Sequence, residues 1–162
     1  MKPRFLELLE ALTRHGVDFV VVGGVAAILE GTPITTLDLD VVYDAEVGNV
    51  ERLATALTSI GARYRDPAGR SIRPTGARLR ANRVNLLETA LGLCDAMQEI
   101  GAGWRYQDVA ARAHRRRVGD LGIAVLDLAA VIESKEAAGR AKDAAMLPVL
   151  RETLRLRAGQ EP

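Results

Sequence analysis

Phe19-Val20-Val21-Val22-Gly23-Gly24-Val25-Ala26-Ala27-Ile28-Leu29, followed by Leu37-Asp38-Leu39-Asp40-Val41-Val42, is the stretch on which the fold turns. The apolar run at 19–22 reads as a buried strand. The glycine pair ends it, and 25–29 reads as a short helix. The second strand, over 37–42, carries two carboxylates. Side chains alternate faces along a strand, so Asp38 and Asp40 point the same way. Two such carboxylates repel each other, and a divalent cation between them relieves the repulsion. Sparse acidic oxygen ligands suit Mg²⁺ (or Mn²⁺) bound together with a phosphate, rather than a closed protein cage. A two-aspartate strand also fits a solvated edge with Leu37, Leu39 and Val41 buried. The upstream glycines favour the phosphate site, because bare backbone N–H groups and a helix start can approach an anion.

Working outward, Phe5, Leu8, Leu9 and Leu12 repeat at helical spacing, with Gly16 as a stop. Val50, Leu53, Ala54 and Leu57 predict another amphipathic helix, ended near Gly61. From Arg63 to Arg83 the pattern loosens, and Pro67, Gly69, Pro74 and Gly76 predict turns between short strands. Further strands are expected over Val84–Leu87, Leu91–Met97 and Leu121–Leu126, and a short helix from Tyr106. A turn over Val118–Gly122 leads into the last of these strands. From Asp127 or Leu128 to about Arg157 the chain reads as helical, with an interruption at Gly139 or Pro148. The expectation is an α+β fold: a mixed β-sheet flanked by helices, with a helical C-terminal extension. It forms one domain over 1–162, with a sheet-containing core at 1–127 and a helical part at 128–157.

Composition bounds the rest. The chain has 162 residues, 48% apolar, which suits one domain with a real core. Its net charge of +1 gives no global basic field, so any nucleic-acid contact is local. Cys94 is the lone cysteine, which excludes an internal disulfide and points to a reducing compartment. The N-terminus does not read as a signal peptide, and no apolar run approaches the ~18 residues of a membrane span. A cytoplasmic protein without membrane contact is expected. His15, His114 and Cys94 are too scattered for a zinc site. Cys94 should face the core, and Trp104 reads as a packing or interface residue.

Two carboxylates leave the chemistry incomplete, because an attacking hydroxyl needs a base or a further metal ligand. Val22-Gly23-Gly24-Val25-Ala26, Thr35-Thr36-Leu37-Asp38-Leu39-Asp40 and Lys135-Glu136-Ala137-Ala138-Gly139-Arg140-Ala141-Lys142-Asp143 together supply the missing context. Over about 17–150 the chain resembles the polymerase-beta-type nucleotidyltransferase superfamily. Within it, the resemblance is to the small bacterial enzymes grouped with abortive-infection and toxin–antitoxin toxins.

The resemblance implies transfer of a nucleoside monophosphate from an NTP to a hydroxyl of a tRNA 3′ end or a protein, by the toxin of an antitoxin-paired or phage-defence system. Asp38 and Asp40 would bind two Mg²⁺ (or Mn²⁺) ions. Gly92-Leu93-Cys94-Asp95 matches the branch's Gly-x-x-Asp strand, which makes Asp95 the third carboxylate. Glu88 is its rival, and Asp127 reads rather as a helix N-cap. Gly23 and Gly24 would hold the β- and γ-phosphates. Many relatives place Ser where Gly24 stands, so backbone donors and the Thr36 hydroxyl would serve. Lys135 and Arg140 would reach the triphosphate, with Asp143 orienting one of them from one broad face of a helix. The alternative is a degenerate copy that binds nucleotide or a protein partner without turnover. A dinucleotide-binding domain is set aside, because the full Gly-x-Gly-x-x-Gly is absent.

Seven arginines stand between Arg63 and Arg83, opposed only by Asp66. Arg115-Arg116-Arg117 forms a second cluster. Such runs are often solvated loops, but this local bias also fits RNA phosphates, a nucleotide or an acidic antitoxin.

Overall fold

Valine-rich β1 (Phe19–Val22) and the acid strand β2 (Asp38–Tyr43) lie antiparallel at the centre of a seven-stranded sheet. The computed structural model describes residues 2–160. α1 (Phe5–Arg14) precedes β1, and α2 (Gly23–Leu29) links β1 to β2. Then come α3 (Val47–Ser59), β3 (Arg63–Tyr64), α4 (Gly76–Ala81) and the hairpin β4 (Val84–Thr89) and β5 (Gly92–Met97). The short pair β6 (Glu99–Ile100) and β7 (Trp104–Arg105) leads to α5 (Tyr106–Ala110), β8 (Ala113–Val118) and β9 (Leu121–Leu126). The chain closes with α6 (Leu128–Ala138) and α7 (Ala141–Ala158). The main sheet runs β3-β4-β5-β2-β1-β9-β8. β5 is parallel to β2 and β9 parallel to β1, so the sheet is mixed, as expected.

Period-two and period-3.6 patterns put the core where the sequence places it. Val20, Val21, Val22, Leu39 and Val41 are buried in the central strands. α1 buries Leu8, Leu9 and Leu12, and α3 buries Val50, Leu53 and Leu57. Cys94 is buried, and burial with the nearby Asp95 pushes its thiol up to about 12. Trp104 packs against the core with the Arg112 guanidinium 5.3 Å from its ring centre. No helix among the described residues is long and apolar enough to cross a membrane.

Two local expectations change and a third is narrowed. The segment 65–83 holds the helix α4, where further strands were expected; only Arg63–Tyr64 is extended enough to pair. The basic cluster at 115–117 lies in strand β8, which pairs antiparallel with β9. Within it, His114 and Arg116 face the buried Glu30 at the end of α2, joined there by Arg157 of α7. Arg116 is therefore engaged by a carboxylate. In the C-terminal part the break falls at Gly139 (φ 64), and Pro148 lies inside α7. A proline forfeits the N–H that would bond the carbonyl four residues back. Here that residue is Ala144, which is exposed, so water can take the carbonyl.

Candidate active site

Strand alternation sends Asp38 and Asp40 to one face of β2. Parallel pairing sets Asp95 of β5 directly beside Asp40. One oxygen from each of Asp38, Asp40 and Asp95 can be chosen so that all lie within 4.8 Å of one another. Glu88 stands outside this group: across the sheet it is opposite Leu93, and Leu93 is opposite Asp38. Asp127 caps α6, accepting from the Ala130 N–H at 2.7 Å. Of the three sequence candidates for a third acid, the fold brings Asp95 to the pair.

The glycines are explained first by packing. Gly23 has φ +62, and a Cβ there would overlap Asp40 Oδ2. Gly24 is buried, and its Cβ would stand 3.0 Å from Thr36 Cβ. The pair thus lets α2 start directly against the acid strand. Thr36 is committed too, since its hydroxyl donates to Asp38 Oδ1 at 2.9 Å. Gly23 lines the cavity described below, whereas Gly24 and Thr36 do not. Gly23→Ala should therefore reduce the nucleotidyl transfer that the sequence resemblance implies about 100-fold by displacing Asp40. It should cost about 1–2 kcal/mol of stability for the left-handed backbone. Steady-state kinetics beside urea unfolding check both effects, and wild-type kinetics would remove the positional role of this glycine.

Burial, reinforced by the charges of Asp38 and Asp95, pushes Asp40 up to about 7. Burial also raises Asp95, countered chiefly by Arg65, whose guanidinium bonds Asp95 Oδ1. Three carboxylates against one contacting guanidinium leave an excess of negative charge at oxygen ligands. That donor set fits hard divalent cations such as Mg²⁺ or Mn²⁺.

The acids open into a cavity of about 290 Å³. Lys135, Arg140 and Lys142 line it together with the acids, and Val84, Leu86, Met97 and Ile100 supply apolar lining. The cations are not on one face of a continuous helix. Gly139 breaks the helix, and the turn folds α7 back so that Asp143 meets both partners. Lys135 Nζ donates to Asp143 Oδ1 at 3.0 Å, and Arg140 Nε donates to Oδ2 at 2.6 Å. Asp143 is fully buried and Lys135 nearly so. Burial works to raise Asp143, and the bonds from Arg140 and Lys135 outweigh it, holding the carboxyl below its ordinary value.

The sequence assigns no role to Lys142 or the apolar lining, and it offers Arg65 only as one of a basic cluster for phosphates or an acidic partner, whereas the fold pairs it with Asp95. Lys142 sits inside the motif around Gly139 and was readable as a third cation. Arg65 reaches Asp95 only through the β3–β4–β5 register, which no local pattern encodes.

No protein-family model and no curated protein matches the chain. Solved structures do. A Thermotoga maritima protein provisionally assigned as a nucleotidyltransferase aligns over 97% of this chain and 91% of its own, at 17% identity and a TM-score of 0.59. The lincosamide antibiotic adenylyltransferase LnuA, solved with lincomycin, aligns over 92% and 95%, at 14% identity and a TM-score of 0.63. ANT(2″)-Ia, in complex with adenylyl-2″-tobramycin, aligns over 96% and 93%, at 12% identity and a TM-score of 0.58. The chain has the nucleotidyltransferase fold, with an acidic trio, a cavity and a cation cluster set together on it.

Proposed function

We propose that this chain moves a nucleoside monophosphate from an NTP to a hydroxyl, with Mg²⁺ or Mn²⁺, on RNA such as a tRNA 3′ end or on a protein. The observation that carries the proposal is the meeting of Asp38, Asp40 and Asp95 in the lining of one cavity that Lys135, Arg140 and Lys142 also line. A physiological role as a cytoplasmic toxin, held in check by a cognate antitoxin, rests on the motif resemblance.

Asp38, Asp40 and Asp95 would hold the divalent ions, which when bound neutralise phosphate charge and acidify the acceptor hydroxyl. The protein's own groups do the rest. Thr36 fixes the Asp38 carboxylate by its hydrogen bond. Asp95 takes the acceptor's proton on a carboxylate oxygen. The freed oxygen attacks the α-phosphorus, a new O–P bond forms, and the bond to the bridging oxygen of pyrophosphate breaks. Charge growing on pyrophosphate meets Lys135 and Arg140, both pre-oriented by Asp143. Cations already in place need no reorganisation as the charge develops.

The test supplies NTP labelled at the α-phosphorus, Mg²⁺ and either RNA or protein acceptors. Wild-type protein should transfer label, and Asp38→Ala should transfer none while keeping its circular dichroism spectrum. Full activity in that variant overturns the metal assignment. Calorimetric NTP binding with no pyrophosphate release would make the chain a nucleotide-binding module instead.

A further inference from the structure

Among the described residues, Arg65 is the one arginine of the 63–83 segment whose carboxylate partner belongs to the acidic trio. Arg70 pairs with Asp66, Arg80 with Glu51 and Arg83 with Glu99. Arg65 Nη2 instead donates to Asp95 Oδ1. Sheet register sets up this contact. Asp40 stands beside Asp95, and Asp95 beside Leu86. Arg65 extends the row past Leu86 through its N–H bond to the Leu86 carbonyl at 3.0 Å. Neighbouring strands lie about 4.8 Å apart, so two spacings, roughly 10 Å, separate the backbones of Arg65 and Asp95. A long side chain is needed to span that gap. Arg65 does not line the cavity, so it meets the site through Asp95. Its anchoring is slight. The bond to Asp95 is the guanidinium's one hydrogen bond among the described residues, and Arg65 Nε is buried without a partner. A guanidinium with a purely structural task commonly grips its carboxylate with two parallel N–H bonds. This one is held at a single nitrogen, and its side chain is 30% exposed, so water can take it once the contact breaks.

We propose that Arg65 is a resident counter-cation for Asp95 that gives way to the divalent ion. The guanidinium holds the third acid until the ion enters, moves off into solvent as it binds, and returns when it leaves. The inference rests on the metal reading of the proposed function and adds a positioning residue to it. Three carboxylates that bring an oxygen each within 4.8 Å of one another repel, and one monovalent cation on Asp95 offsets part of that charge. A divalent ion offsets more of it and takes the same carboxylate as ligand. While Arg65 is on Asp95, that carboxylate is engaged and is not free to ligate or to accept a proton. Its release on ion binding ties the readiness of Asp95 to the presence of the metal. An ion pair with only a structural task makes the opposite prediction, because its removal would loosen Asp95 and weaken metal binding.

The experiment titrates Mn²⁺ into nucleotide-free protein and measures the free ion by electron paramagnetic resonance. Wild type, Arg65→Gln and Arg63→Gln are compared. Arg65→Gln should bind Mn²⁺ about tenfold more tightly, the order expected for one unit charge beside a divalent ion in a water-like dielectric. Arg63→Gln removes the same charge from the same sheet edge, two residues away, and should stay within about twofold of wild type. At one saturating Mn²⁺ concentration, the melting temperature of Arg65→Gln should rise about 4 °C more than that of wild type. Equal or weaker Mn²⁺ binding in Arg65→Gln overturns the exchange. So does an equal gain in Arg63→Gln, which would reduce the effect to a general field. Where Arg65→Gln is unfolded without metal, Mn²⁺ should fold it, and failure to do so overturns the proposal. The transfer assay with α-labelled NTP decides the parent reading separately. Transfer by wild type beside unchanged Mn²⁺ affinity in Arg65→Gln leaves nucleotidyl transfer standing without this role for Arg65. Absence of both Mn²⁺ binding and transfer in wild type and Arg65→Gln overturns the metal reading itself.

Discussion

Asp40→Asn should abolish nucleotidyl transfer and, in the same protein, raise the melting temperature of the metal-free form at pH 8. Both effects come from one cause. Burial, then Asp38 and Asp95, lifts this carboxyl from 3.8 to about 7, with Lys135 and Lys142 offsetting only part of it. The folded protein therefore holds the Asp40 proton more tightly than the unfolded chain does. Between those two values the folded state binds more protons, so stability falls as pH rises through the window. Above pH 7 the full penalty applies, on the order of 4 kcal/mol. Asparagine keeps the shape and cannot ionise. The variant should melt about 10 °C higher at pH 8, and the gain should shrink to under half at pH 5. Mg²⁺ should stabilise wild type with proton release and leave Asp40→Asn nearly unmoved. Transfer should drop at least about thousandfold, as for loss of a group that organises charge in the transition state. Calorimetric melting from pH 5 to pH 8, with and without Mg²⁺, checks the set. Identical melting curves for the two proteins across that range would show that the acids do not strain the fold.

The central strands, the glycine turn and the acid strand were legible because alternation and a continuous apolar run both report burial. Asp95 was legible through the family resemblance, as the acid of Gly92-Leu93-Cys94-Asp95, on a strand where it alternates with the buried Cys94 and Ala96. What the sequence hid depends on distant contacts. α4 is six residues long, too short to announce itself by periodicity. It is held from afar, since Tyr43 O–H donates to the Leu79 carbonyl and Gln98 Nε2 to the carbonyls of Leu79, Arg80 and Asn82. β8 was hidden because its alternation is in charge partners rather than in hydropathy. His114 and Arg116 turn toward Glu30, and Arg117 toward Asp120. A cation-rich strand at the end of the sheet order also protects that edge from pairing with another chain. The C-terminal motif was legible as residues but not as geometry. Its cations converge because Gly139 turns the chain, and a continuous helix would have kept Lys135 away from Asp143.

Lys135→Met should destabilise the protein by about 3 kcal/mol and also impair transfer, and a second substitution should separate the two losses. Asp143 is completely buried, and its two oxygens are held by Lys135 Nζ and Arg140 Nε. Removing Lys135 leaves a buried carboxylate with Arg140 as its one remaining side-chain partner among the described residues, and the Arg140 side chain is 61% exposed. The sign with pH follows from the depressed Asp143 carboxyl. Its contribution is present above the ordinary carboxylate value and is lost as pH falls through the folded one. The deficit of Lys135→Met should therefore narrow in acid. Lys135→Met/Asp143→Leu removes both charges together, and a buried ion pair exchanged for apolar groups is close to neutral in stability. The double variant should regain most of the lost urea-unfolding free energy. It should not regain transfer, because the cavity then lacks the cation proposed to meet the triphosphate and Arg140 loses the carboxylate that orients it. Recovery of both stability and kcat in the double variant would reduce Lys135 to a packing element. Recovery of stability alone assigns the buried pair two separable tasks, with Asp143 holding the α6–α7 turn closed and Lys135 carrying charge into the site.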